Sequence, residues 1–280
     1  MIHSLTDKVL LNNQVEIPGL GLGVFQISDE MTEEVVKNGI LTGYRLIDTA
    51  QIYGNEIGTG KGIAQGLKEA KLERKDIFVT SKVWNDHLSY SETIAAFNQS
   101  LERLGLEYLD LYLIHWPGFG AFDESWRALE ELYKEGKVRA IGVSNFEIEH
   151  LEHLLIYAEV IPVVNQIELH PKLNQKALRE YCAQKGIKVQ AWSPLMQGQL
   201  LTNEVILGIA RALNKSAAQV ILRWAIQQEI LLNVKSVKKE RMLANSQVFD
   251  FHLSEAQMQL IDALNEDLRV GPNPNTFDFK

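Results

Sequence analysis

Gly19-Leu-Gly-Leu-Gly-Val-Phe25 is the stretch on which the architecture turns. A glycine-rich apolar run near the start of an α/β chain suggests a dinucleotide-binding doubly wound sheet. There the glycines follow Gly-x-Gly-x-x-Gly between a first strand and a helix, so that backbone can approach a pyrophosphate. Here Gly19, Gly21 and Gly23 alternate strictly, no third glycine stands at that spacing, and polar residues 28–34 follow. The run reads instead as the first buried strand of a different α/β arrangement.

Working outward, similar short apolar runs recur at Tyr44 to Thr49, Ile77 to Val83, Leu109 to His115, Val138 to Ser144, Val163 to Glu168, Lys188 to Ser193 and Ile230 to Ser236. Amphipathic segments separate them. Tyr90, Thr93, Ile94, Phe97, Leu101 and Leu104 share one helical face, and Ser89 with Glu92 predicts a capping box at its start. Trp126, Leu129 and Tyr133 mark another helix, which Gly136 can terminate. Ser254 with Gln257 caps a last helix carrying Met258, Ile261 and Leu264, and residues 1–17, with Asn12-Asn13 as a turn, read as a short hairpin. Alternation alone fits a closed barrel or an open sheet; without the Rossmann glycines the barrel is preferred. The expectation is a (β/α)8 TIM barrel with an N-terminal β-hairpin and an extra C-terminal helix. No Pro/Gly/Ser linker interrupts the chain, so residues 1–280 are expected to form one domain.

Composition narrows the partners. The formal net charge of −8 and a pI near 5.5 oppose a nucleic-acid role, which needs a basic stripe. The single cysteine, Cys182, lies at helical spacing with Leu178 and Tyr181 and reads as a buried core thiol in a reducing compartment. The first residues lack a charged stretch followed by an apolar core, and no apolar run approaches the ~20 residues of a membrane span. A cytoplasmic protein with no membrane contact is the expectation.

In a barrel of this kind, catalytic groups project from the carboxyl ends of the strands. Those positions give Asp48 and Tyr53 after the second run, Lys82 after the third and His115 at the end of the fourth. Together they suit proton donation to a carbonyl oxygen. Tyr53 would be the acid, and Lys82 would lower its pKa from the usual value of about 10. Asp48 would hold Lys82, and a neutral His115 would orient the substrate oxygen. Each also fits a structural role: Asp48 as a loop-ordering cap, Tyr53 as a loop tyrosine, Lys82 at the surface, His115 as a satisfied core histidine. Four such groups on neighbouring strand ends favour the chemical reading.

These residues lie inside a wider pattern. Ile47-Asp-Thr-Ala-Gln-Ile-Tyr-Gly-Asn-Glu56, Val79-Thr-Ser-Lys82, Asp110-Leu-Tyr-Leu-Ile-His-Trp-Pro117, Ile141-Gly-Val-Ser-Asn-Phe146, Val164-Asn-Gln166, Trp192-Ser-Pro-Leu195 and Lys235-Ser-Val-x-x-x-Arg241 follow in order over nearly the whole chain. Together they resemble the aldo-keto reductases. Leu268-Arg-Val-Gly-Pro-Asn-Pro274 and Ser193-Pro-Leu-Met-Gln-Gly198 are most similar to the short-looped bacterial reductases of glyoxal, methylglyoxal and related aldehydes.

The resemblance implies NADPH as cofactor, with NADH at lower affinity, and hydride transfer to an aldehyde or ketone. It places the proton donor on Tyr53, supported by Lys82, Asp48 and His115. It assigns Ser144, Asn145 and Gln166 to the nicotinamide carboxamide and Trp192 to the ring face, where tyrosine is common in the family. Leu195, Gln197 and Gly198 fall in the loop over the pyrophosphate. Lys235, Ser236 and Arg241 suit a 2′-phosphate, and Asn245 suits the adenine. Gly23, Val24, Ser193 and Val237 complete the implied cofactor set. Phe25, Ile52, Trp84 and Trp116 match substrate-facing positions.

Two departures stand out. Val234 replaces the proline usual before the lysine, and Ala244 replaces the glutamate before Asn245, which suggests looser cofactor binding. The segment Trp116 to Phe122 is short, which suggests an open mouth for small carbonyl substrates. The expected state is a monomer. A cofactor-sensing protein without catalysis and a Schiff-base lyase using Lys82 are the competing readings. No metal is expected, because no His-x-His pair occurs, and His87, His150, His153, His170 and His252 lack ligand spacing.

Overall fold

In the computed structural model, which describes residues 2–118 and 122–277, the eight apolar runs pair edge to edge. They supply β3 (Leu20–Gly23), β4 (Leu46–Asp48), β5 (Phe78–Val83), β6 (Leu111–Ile114), β7 (Ile141–Ser144), β8 (Val164–Glu168), β9 (Lys188–Trp192) and β10 (Leu231–Lys235). All pairs are parallel, and β10 returns to β3 with Leu232 opposite Leu20 and Lys235 opposite Gly23, which closes the barrel. The Gly19 run is thus a barrel strand. A Cβ at Gly21 would lie 2.4 Å from Leu46 and 2.5 Å from the Asn233 side chain, so glycine is needed there for the strands to approach.

The strands are shorter than the apolar runs. Leu109 and Val138 touch only through an isolated parallel bridge before β6 and β7. Ahead of the barrel, β1 (Lys8–Leu10) and β2 (Glu16–Pro18) form the expected antiparallel hairpin, with Val9 opposite Ile17. Asn12 and Asn13 donate to the carbonyls of Pro162 and Arg139, just ahead of β8 and β7. The hairpin therefore covers the amino ends of the strands and leaves the opposite mouth clear.

The helical shell follows the same alternation: α1 (Asp29–Thr42), α2 (Glu56–Ala70), α3 (Tyr90–Leu104), α4 (Phe122–Lys134), α5 (Ile148–Leu154) and α6 (Lys176–Gln184). Between β9 and β10 run two helices, α7 (Glu204–Leu213) and α8 (Ala217–Gln227), so one more helix is added than the pattern predicted. After β10 come α9 (Lys239–Ser246) and α10 (Glu255–Asp262). The α10 capping box forms as expected, with Ser254 and Gln257 exchanging bonds of 2.8 and 3.3 Å, but Leu264 lies beyond the helix end. At α3 only half of the box forms: the Ser89 hydroxyl caps the Glu92 amide, while the Glu92 carboxylate takes that hydroxyl. No single helix among the described residues is long and apolar enough to cross a membrane; only α7 and α8 pass together, bent by 90°. Residues 119–121 of the segment after Trp116 lie outside the described residues.

Candidate active site

The carboxyl ends of β4, β5 and β6 bring four ionisable side chains together. Lys82 is fully buried and donates to the Asp48 carboxylate at 2.7 Å, to the Thr49 carbonyl at 2.8 Å and to the Tyr53 hydroxyl at 3.4 Å. Tyr53 rides on a one-turn 3-10 helix, Gln51–Tyr53, directly after β4. His115 follows β6, its ring 5.6 Å from that of Tyr53 and 5.1 Å from that of Trp84. The strand-end reading grouped the same four residues from sequence.

Charge states differ in part from the sequence expectation. Burial pushes the Lys82 ammonium down, but the neighbouring Asp48 and Tyr53 outweigh it and hold Lys82 above its ordinary value. Tyr53 was expected to be acidified by Lys82. Burial, joined by Asp48, outweighs the lysine and raises the phenol instead. His115 is held well below the usual imidazole range, first by burial and then by Lys82, so it is neutral near pH 7. Its Nδ1 is buried with no hydrogen-bond partner among the described residues.

The Asp48 carboxylate has a second partner on the far side of the barrel. Gln166, on β8, donates to it at 2.8 Å and to the Gln190 side chain at 2.8 Å, and Gln190 reaches Asn233 at 3.4 Å. With its amide nitrogen committed twice, Gln166 presents its oxygen as an acceptor. Beside it, Ser144 donates to the backbone carbonyl of Gln166 at 2.8 Å, and the Asn145 side-chain amide donates to the backbone carbonyl of His115 at 2.9 Å. Asn145 takes a left-handed backbone with φ 62°, and its oxygen accepts the Trp192 indole N–H at 2.8 Å. The indole N–H thereby anchors Asn145.

The remaining sequence candidates fall around this centre. Phe25 and Ile52 are half exposed, at 53% and 49%, with the Phe25 ring 4.9 Å from Tyr53. Trp116 is buried, 6.4 Å from the Trp192 ring. Gly23 ends β3. Val24 is fully buried with its amide bonded to Asp48 and its carbonyl to Asn55, so it frames the mouth without facing it. Ser193, Gln197 and Gly198 all have positive φ, and with Leu195 they make a tightly turned loop after β9. Lys235, at the end of β10, and Val237 and Arg241 beyond it are exposed, while Ser236 and Asn245 are buried. Val234 packs into β10 as a buried residue, and the Ala244 carbonyl accepts from Gln219 at 3.2 Å.

Several positions escaped the sequence reading. Asn55 bonds Thr49 and the carbonyls of Val24 and Ile27, clamping the loop that carries Tyr53. Glu56 is buried against Arg103, Ser81 and Ser100. The usable signal for Gln190 and Asn233 is that each is a polar residue within an otherwise apolar strand run. Among the described residues no group of three or more His, Cys, Asp or Glu could hold a metal ion.

Residues 19–266 match the profile of the Aldo/keto reductase family. Two proteins of Bacillus subtilis, the uncharacterized oxidoreductase YtbE and glyoxal reductase, are each 57% identical over 281 residues, covering 100% of both chains. Among solved structures, a variant of Gox0644 in complex with NADPH is 42% identical with a TM-score of 0.93, covering 98% of this chain and 99% of that one. The match runs through the barrel and all the strand ends just described: the chain belongs to the aldo/keto reductase family and is an NAD(P)H-dependent oxidoreductase.

Proposed function

We propose that the protein reduces small aldehydes and dicarbonyls to alcohols with NADPH, Tyr53 giving the proton. The contact of Lys82 with both Asp48 and the Tyr53 hydroxyl, at 2.7 and 3.4 Å, carries this reading. The mouth also fits the cofactor. Trp192 offers an aromatic face, and Gln166 and Asn145 offer oriented amides. The left-handed run at Ser193, Met196, Gln197 and Gly198 is the kind of strained backbone kept where a ligand uses it. Lys235 and Arg241, exposed and in no ion pair among the described residues, suit the charge of a 2′-phosphate.

NADPH bound there supplies the hydride that adds to the carbonyl carbon. The chain's own residues manage the oxygen. His115, neutral, donates a hydrogen bond that orients the carbonyl. Tyr53 transfers its proton to the oxygen as negative charge develops there. The raised phenol pKa keeps that proton in place until it is needed. Lys82 then stabilises the phenolate that remains, an interaction stronger after transfer than before it. Asp48 keeps Lys82 charged, and solvent returns the proton to Tyr53. The 57% identity to glyoxal reductase supports a small dicarbonyl substrate, as does the exposure of Phe25 and Ile52 at the rim.

The test is Tyr53→Phe, assayed with glyoxal, methylglyoxal and simple aldehydes. Turnover should fall by about 10²- to 10⁴-fold, the span of a lost general acid, while the NADPH Kd stays within about twofold. Turnover close to that of the unaltered protein would overturn the assignment.

A further inference from the structure

The chain after α10 does not trail off the barrel; it crosses the mouth. The amides of Glu266 and Leu268 both bond the Lys172 carbonyl, at 3.1 and 3.0 Å, and Asn265 accepts from the Asn174 amide at 2.9 Å. Arg269 pairs with Glu147. The next two amides, of Val270 and Gly271, donate to the carboxylate of Glu168 at 2.7 and 3.1 Å. Further on, the Phe277 ring lies 5.3 Å from that of Trp116.

Glu168 is the last residue of β8, two beyond Gln166, and its side chain is fully buried. Its third partner is the equally buried His170, at 3.0 Å. A carboxylate in that position is costly unless hydrogen-bonded, and two of its bonds go to the tail. Gly271, where the tail is held, presses on Trp192. A Cβ there would lie 2.4 Å from the Cη2 atom of the indole and 3.1 Å from Glu168 Oε2. The other end of the same indole donates to Asn145. The ring is therefore fixed at both ends, by Asn145 and by the tail.

We propose that Glu168 is a positioning residue for the nicotinamide site: it pins the Val270–Gly271 backbone so that Gly271 sets the tilt of the Trp192 ring. The proposal rests on the reading of this mouth as the NADPH site. It makes glycine at 271 a requirement of the indole, and it makes the tail a support of the cofactor site as well as a wall of the mouth.

The experiment is a double-mutant cycle on the full chain, with Gly271→Ala, Trp192→Phe and both. Single-turnover oxidation of bound NADPH by glyoxal and the near-UV circular dichroism of the cofactor-free protein are read for each. Gly271→Ala alone should slow the single turnover about tenfold or more, the scale of a misplaced reacting pair. It should also change the tryptophan bands while moving the melting midpoint by no more than about 4 °C. In the Trp192→Phe background, which removes the closest conflict and leaves only the 3.1 Å approach to Glu168 Oε2, adding Gly271→Ala should alter the rate by less than about twofold and leave the spectrum nearly as it was. Glu168→Gln should reproduce the slow turnover, and an unaltered rate in the folded variant would overturn the role of Glu168; should it fail to fold, Glu168→Asp is read in its place. Equal losses from Gly271→Ala in both backgrounds, or none in either, would overturn the positioning role while the unaltered protein still oxidised NADPH. An unaltered protein that neither binds NADPH nor oxidises it with any carbonyl would overturn the functional reading, and the positioning role with it.

Discussion

Tyr53 and His115 are both set by burial, and in both the neutral form is favoured. For Tyr53 burial outweighs Lys82, and for His115 burial and Lys82 act in the same direction. The reaction therefore begins from a protonated phenol and a neutral imidazole across the working pH range. Carbonyl reduction at saturating NADPH should be flat from about pH 6.5 to about pH 9, between the ordinary values of the two side chains. A pH–rate profile with an inflection inside that window would contradict these charge states. Stability has matching signs. The His115 pKa is lower in the folded chain, so its contribution is complete above about pH 6.5 and is lost as the pH falls towards the folded value. The Tyr53 pKa is raised, so its contribution is complete below about pH 10 and is lost as the pH rises further. Cys182 is also governed by burial, which pushes its thiol up to about 11, in keeping with a core residue. The identities of these groups were legible from strand ends. Their proton affinities were not, because desolvation depends on everything packed around a side chain.

At the scale of elements, α2 shows packing overriding propensity. It carries Gly58, Gly60, Gly62 and Gly66, each unfavourable in a helix by about 1 kcal/mol relative to alanine. At Gly58, Gly60 and Gly62 neighbouring backbone leaves no space, and at Gly66 the Ile40 side chain does: a Cβ at Gly60 would lie 2.1 Å from the Leu104 carbonyl oxygen, and one at Gly62 2.5 Å from that of Glu33. Overpacking costs about 1–3 kcal/mol and exceeds the propensity gain. Gly60→Ala should therefore destabilise by up to about 2 kcal/mol net. Gly208, in α7, has nothing within 4 Å of an added Cβ, so Gly208→Ala should stabilise by up to about 1 kcal/mol. Urea midpoints measure both, and two shifts of the same sign would show that propensity or packing alone governs. The extra helix α7 was missed for a related reason. Alternation counts strands well, but two helices in one crossover look to the pattern like one long amphipathic segment.

For the whole molecule, closure of β10 on β3 puts the Gly23 and Lys235 ends side by side, so the first and last barrel strands meet at the mouth. A cofactor spanning from Trp192 to Arg241 would bridge the carboxyl ends of the paired strands β9 and β10 and stabilise the folded barrel. NADPH at about a hundred times its Kd should add about 2.7 kcal/mol, or several degrees in melting temperature. In Arg241→Ala the NADPH shift should shrink at fixed concentration while the NADH shift holds, as differential scanning fluorimetry would show; equal losses would remove Arg241 from the 2′-phosphate. The sequence by itself determined the order of eight strands, the absence of a Rossmann fingerprint, and the placement of Asp48, Tyr53, Lys82 and His115 at strand ends. Those are local properties, carried by periodicity and by spacing along short stretches. Only the tertiary structure decided that Asp48 answers to Gln166, 118 residues away, and that Glu168 holds a tail 102 residues on. Barrel closure and the return of the tail create those contacts, and no local pattern of residues encodes which side chains they bring face to face.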